Sequence, residues 1–169
     1  MLARNETIFK WLLYGLATLL CFLVQAVLQR FTFWGVIPFL YPLLPAVVSA
    51  YEGTTSGAIY GLAVGVACDL LLPGPIPCFY TLVFPLVGLC SALIAQSLLP
   101  AGVLCSLVVS VPAFLLTDGF HCFLLWTGGQ SAWPTGGSVM IREFCVSVIL
   151  VLPVTWLFAS VFRRTRFDN

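Results

Sequence analysis

The sequence predicts an all-α polytopic membrane protein with six transmembrane helices, and three observations carry that reading. The first is composition: 61% of the 169 residues are hydrophobic, 8% are charged and the mean hydropathy is +1.09, far above an ordinary soluble domain. The second is the spacing of the charges. They leave uncharged intervals of 19 (11–29), 21 (31–51), 16 (53–68), 48 (70–117), 23 (119–141) and 19 (144–162) residues, and a spanning helix needs roughly 20. The third is where the basic residues sit. Five of the seven lie near the two ends, as Arg4, Lys10, Arg163, Arg164 and Arg166. Basic residues stay in the cytoplasm, so both termini are expected inside and the number of spans even. Six spans take about 120 residues and leave about 49 for loops and tails. That makes residues 1–169 one integral membrane domain and excludes a separate soluble domain, intrinsic disorder and a nucleic-acid-binding surface. It also excludes an outer-membrane barrel, whose strands need polar lumen positions at every second residue.

The spans follow in order. Residues 9–29 read as a retained first helix, since the apolar run after Lys10 is longer than a signal-peptide core and no A-x-A site follows. The second span, 36–50, carries Pro38, Pro42 and Pro45, which makes a regular helix unexpected over its first half: it is either broken or begins late. Tyr51-Glu52-Gly53 forms a cytoplasmic turn before the third span, 54–72, which Pro73-Gly74-Pro75-Ile76-Pro77 stops. The fourth and fifth spans, 78–98 and 103–126, are joined by the turn Leu99-Pro100-Ala101-Gly102. The long polar connection 127–137, with Trp126 and Trp133 suited to the interface, precedes the sixth span, 139–162. The seven cysteines are odd in number, lie in or beside apolar stretches and form no C-x-x-C, so they read as packing residues. With a single histidine, no metal site is expected.

In the third span Gly53, Gly57, Gly61 and Gly65 recur every four residues and Asp69 takes the next place. Each step drifts about 40°, so the stripe winds slowly round one side of the helix over about 24 Å. Small residues at this spacing let another helix come close, because in lipid the attraction between helices is mostly close packing. Two uses are open: contact within the chain, or docking of a partner protein.

An ionisable group in mid-span costs roughly 2.5–3.5 kcal/mol, so each needs a partner, water or a place near the interface. Asp69 falls near the outer end of the third span, Asp118 about 22 Å along the fifth with His121 one turn later, and Arg142 and Glu143 within about 6 Å of the start of the sixth. These five residues lie at similar depth. With Gln25, Gln29 and Arg30 they are expected to form an intramembrane polar network in the outer half, in which Asp69 or Asp118 accepts two parallel N–H groups from Arg142. Glu143 points about 100° away from Arg142, so one of the two reaches the interface or another protein. Asp118 and His121 share a helix face, an arrangement that also occurs in proton relays. There is no Ser/His/Asp or Cys/His nucleophile arrangement, so no enzyme, catalytic residue or cofactor is expected; Asp118 and His121 are the candidates for chemistry on lipid.

Residues 45–98 resemble the rod-shape-determining membrane protein MreD family. The likeness rests on Gly57-x-x-x-Gly61-Leu62-x-x-x-x-x-x-Asp69-Leu70-Leu71, the proline-glycine turn 73–77, Phe79-Tyr80-Thr81-Leu82 and Gly88. The approach from Pro45 to Glu52-Gly53, the stretch Ile141-Arg142-Glu143-Phe144 and the basic tail are similar too. A recognisable motif covers about a third of the chain. The resemblance implies a non-enzymatic scaffold subunit of the bacterial cell-elongation machinery in the cytoplasmic membrane. Such a subunit binds MreC and, through it, the peptidoglycan glycosyltransferase RodA and its transpeptidase. It also implies a bundle like the S-components of vitamin transporters, and hence the alternative of a substrate-binding subunit with an outward pocket. Against that alternative, S-components dock through an AxxxA-type motif in helix 1, where this chain has scattered Gly15, Ala17 and Ala26. A reporter fused to the C-terminus is expected to be active only on the cytoplasmic side; export of that reporter would make the span count odd.

Overall fold

Long apolar runs become helices here wherever proline permits. The computed structural model describes residues 2–98, 100–129 and 133–166. Leu99, part of the 127–137 connection, and the side chains of Arg4, Trp133 and Arg166 lie outside the described residues. The chain is an all-α bundle of α1 (Leu2–Leu28), α2 (Leu43–Glu52), α3 (Thr54–Leu71), α4 (Phe79–Leu98), α5 (Val103–Thr127), α6 (Trp133–Ser147) and α7 (Val151–Arg166). Five stretches are long and apolar enough to cross a membrane: Thr7–Leu28, Thr54–Leu71, Phe79–Ser97, Val103–Thr127 and Gly136–Thr165.

The second span is the exception, and it starts late. α2 has ten residues, about 15 Å of rise, half of a hydrocarbon core. A tight turn at Trp34 and Gly35, both with positive φ (53° and 78°), pairs Phe33 with Val36 as in a two-residue hairpin. From there the chain runs without helix to Pro42, the residue that precedes α2. Pro45 falls in the first turn of α2, where an N–H has no intrahelical partner in any case. The segment nevertheless travels the length of α1. Gln25, near the far end of α1, bonds Pro38 and Leu40, and Lys10 and Tyr14, near its start, bond Glu52. The bundle is therefore crossed six times, once by an extended stretch joined to a short helix.

α2 sits at the centre. All residues from Leu43 to Ser49 are buried, as expected of a helix apolar on every side, and it touches α3, α4, α5 and α7. Tyr14 stacks on Phe158 with ring centroids 5.9 Å apart, joining α1 to α7. Leucines of α1 such as Leu12, Leu16, Leu19 and Leu23 face outward, where lipid takes the place of a partner.

The last span is in two pieces. α6 begins at Trp133, earlier than the expected 139, with Pro134 at a first-turn position that tolerates it. A 3-10 turn, Val148–Leu150, separates it from α7. Pro153 explains the break, since its ring clashes with the carbonyl four residues back and it offers no N–H.

α3 and α4 form the closest pair, antiparallel. A Cβ added to Gly61 would lie 2.6 Å from the Phe84 carbonyl oxygen, and one on Gly65 would lie 2.5 Å from that of Tyr80. One on Gly57 would overlap Ser49, and one on Gly88, from the α4 side, would come 2.7 Å from the Gly57 oxygen. The glycine face of α3 is thus filled from within the chain. Gly53 does not belong to that face: an added Cβ meets only Gln96 Nε2 at 3.5 Å, and its φ of 88° marks the turn between α2 and α3 that favours glycine. Gly61→Leu is expected to cost at least about 1–3 kcal/mol through overpacking and to lower the melting temperature in detergent. Gly119→Leu, where an added Cβ meets nothing within 4 Å, should not; equal melting of both variants would contradict the close α3–α4 crossing.

Candidate functional site

Asp69 ends α3 where α4 begins. Its Oδ1 accepts the Tyr80 N–H at 3.0 Å, and its Oδ2 accepts the Thr81 N–H at 2.8 Å and the Thr81 hydroxyl at 2.5 Å. The carboxylate therefore caps the first turn of α4, where amides lack intrahelical acceptors and the helix dipole favours negative charge. Its partners are backbone amides and a hydroxyl. The expected bond from Arg142 is not formed among the described residues, because Arg142 is exposed on the outer side of α6. Its neighbour Glu143, about 100° round the helix, is the one that turns inward.

Asp118 is buried, 8% exposed, and its Oδ2 has no hydrogen-bond partner among the described residues. It lies within electrostatic reach of Glu143, and Tyr80 is within reach of Asp69, Asp118 and Glu143 together. His121, one turn beyond Asp118, rests against the Phe79 ring at 5.8 Å. Four of the five residues thus gather around Phe79 and Tyr80 at one end of the bundle. They do so as three carboxylates and an imidazole around an aromatic pair, and Arg142 does not enter.

Gln25 and Gln29 take other places. Gln25, 1% exposed, donates to the Pro38 carbonyl at 2.8 Å and accepts the Leu40 N–H at 2.9 Å. Ser147 Oγ accepts the Phe39 N–H at 2.8 Å. Gln29 lines a groove between α1 and α3, and Arg30 is exposed.

The opposite end holds a second polar group, formed by residues of the Tyr51-Glu52-Gly53 turn and the basic flank of α1. Lys10 pairs with Glu52 at 2.5 Å and the Tyr14 hydroxyl donates to the same carboxylate at 2.8 Å. One turn deeper, the Thr18 and Tyr60 hydroxyls share a hydrogen bond of 2.5 Å. Lys10 also lies 5.9 Å from the Phe162 ring centroid, so the start of α1, the end of α2 and the end of α7 meet at one level. Opposite charges at equal depth on neighbouring spans were the signal in the sequence: Glu52 is the sole carboxylate between residues 7 and 68.

Two concave features open beside these groups. A groove of about 570 Å³ runs between α1 and α3, lined among others by Gly15, Thr18, Ala26 and Ala67. A cleft of about 900 Å³ lies at the Lys10 end, between α5 and α7. The described residues contain no group of three or more His, Cys, Asp or Glu side chains arranged to hold a metal.

Asp69→Ala leaves the Tyr80 and Thr81 amides without their acceptor, at about 1–3 kcal/mol, and should lower the thermal midpoint; Asp69→Asn keeps one acceptor oxygen and should lose less. Arg142→Gln, on the exposed side, should melt like the parent. A midpoint unmoved by Asp69→Ala would remove the capping role.

In comparison with known proteins, no family model, no curated protein and no solved structure matches this chain.

Proposed function

We infer that this chain is a non-enzymatic membrane scaffold of the bacterial cell-elongation machinery, similar to the MreD family, that holds the single membrane anchor of an MreC-like partner. Through that partner it associates with RodA and its transpeptidase in peptidoglycan synthesis. The observation that carries this reading is the lipid-facing groove between α1 and α3. Its wall combines Gly15, Ala26 and Ala67 with the polar Thr18 and Gln29. Small residues that face lipid leave room for a helix backbone to approach, and close packing is what joins helices in a bilayer. The glycine face of α3 is already occupied by α4, whereas the α1–α3 groove is a small-residue surface open to another chain.

The interior supports a structural rather than a chemical role. Asp69, Gln25, Ser147 and Glu52 each hold a helix end or a strand-like segment in position. Lys10, Arg163 and Arg164 belong to the end at which both helical termini finish, which supports a location in the cytoplasmic membrane with both termini in the cytoplasm.

At Gly15 an added Cβ meets nothing within 4 Å, so the side chain of a Gly15→Leu variant extends into the groove, and leucine is a better helix former than glycine. The variant should keep its melting temperature and recover several-fold less of a co-expressed single-span, coiled-coil MreC-like protein on co-purification. Undiminished recovery would remove the groove as the partner site. A small molecule retained through purification and identified by mass spectrometry, with no partner bound, would favour the substrate-binding reading.

A further inference from the structure

At the end that carries Lys10 and Arg163, the 900 Å³ cleft opens between the end of α2, the start of α5 and the last turns of α7. We propose that this cleft binds an anionic glycerophospholipid, its phosphate at Arg163 and the N-terminus of α5 and its ester region at Thr155.

Three features of the cleft ask for such a ligand. The first is an unmet polar demand. Thr155 is 1% exposed, forms part of the cleft wall, and its hydroxyl has no hydrogen-bond partner among the described residues. Other helical threonines here bond the carbonyl four residues back, as Thr18, Thr117 and Thr165 do. Buried hydroxyls are rarely left unpaired. A helical threonine has two accessible χ1 rotamers, so its hydroxyl meets a ligand oxygen without backbone movement.

The second is positive potential. α5 is 25 residues long, and Gly102 at its N-cap supplies no side-chain cap. Gly102 and Val103 line the cleft, so the uncapped first-turn amides and the positive end of the helix dipole border it. Arg163 lines the same cleft, whereas Glu52, the carboxylate that the described residues place at this end, is held by Lys10 and Tyr14.

The third is amphiphilic shape. Thr155, Ala159 and Arg163 recur every four residues on one face of α7, with the small alanine between the two polar groups, over about 12 Å. Trp156, 74% exposed, stands beside this strip. A ligand that satisfies the strip carries an anion at one end, an acceptor below it and hydrocarbon beyond. A diacyl phosphate ester has that order, and basic pockets between spans on the cytoplasmic side suit anionic headgroups.

The test uses the full chain, delipidated in detergent, titrated with phosphatidylglycerol, phosphatidylcholine or inorganic phosphate and followed by thermal shift and native mass spectrometry. Phosphatidylglycerol is expected to raise the melting temperature and to remain bound at one copy per chain, with at least ten-fold preference over phosphatidylcholine. Arg163→Gln should weaken it about ten-fold. Thr155→Val removes the orphaned hydroxyl at equal shape, so it should fold at least as stably as the parent and yet hold phosphatidylglycerol several-fold less tightly. Equal retention of both lipids, or unchanged affinity in both variants, would overturn the proposal. Protection by inorganic phosphate alone would assign the cleft to a free anion and overturn the lipid.

Discussion

The constraint on which the rest of the structure depends is that a stretch of backbone without helix lies among apolar side chains. Helix and closed barrel are the usual answers in lipid because they satisfy their own N–H and C=O groups. Residues 37–41 cannot use either, since Pro38 and Pro42 interrupt the pattern. Their polar atoms are met from outside: Gln25 of α1 bonds both Pro38 and Leu40, and Ser147 of α6 accepts from Phe39. One glutamine serves as donor and acceptor in the manner of a neighbouring strand. With that stretch anchored, α2 can be short and central, and the other helices close round it.

Tight packing and polar capping act together at the next level. The glycines of α3 bring the backbone of α4 within reach, and the same approach lays the first-turn amides of α4 against Asp69. Neither arrangement stands without the other, because a carboxylate so far along an apolar helix needs donors close by and the amides need an acceptor. At the other end Glu52 plays a comparable part, taking Lys10 and Tyr14 and so tying α1 to the turn before α3. The two carboxylates act at opposite ends of α3.

The unsatisfied groups stand out against this economy. Ser91 of α4, Asp118 near Glu143 and Thr155 in the α5–α7 cleft have buried oxygens without partners among the described residues, in a bundle where most other buried polar side chains hold a backbone group. Thr155 is the one that lines a cleft, and there the charge, shape and hydrogen-bonding demand converge on an amphiphile.

The sequence by itself determined the all-α membrane class, the even number of crossings, the helix boundaries of α3, α4 and α5 to within a residue or two, and the shared depth of Asp69, Asp118, His121 and Glu143. These follow from hydropathy, proline position and helical rise, all of which are local along the chain. Only the tertiary structure decided which donors Asp69 meets, that Arg142 turns outward while Glu143 turns inward, that Gln25 leaves the expected cluster for residues 38–40, and that the α3 glycines face α4. Depth is a property of one helix, whereas a hydrogen bond or a close approach also depends on how two helices are rotated about their axes, and rotation is set by the packing of all the others.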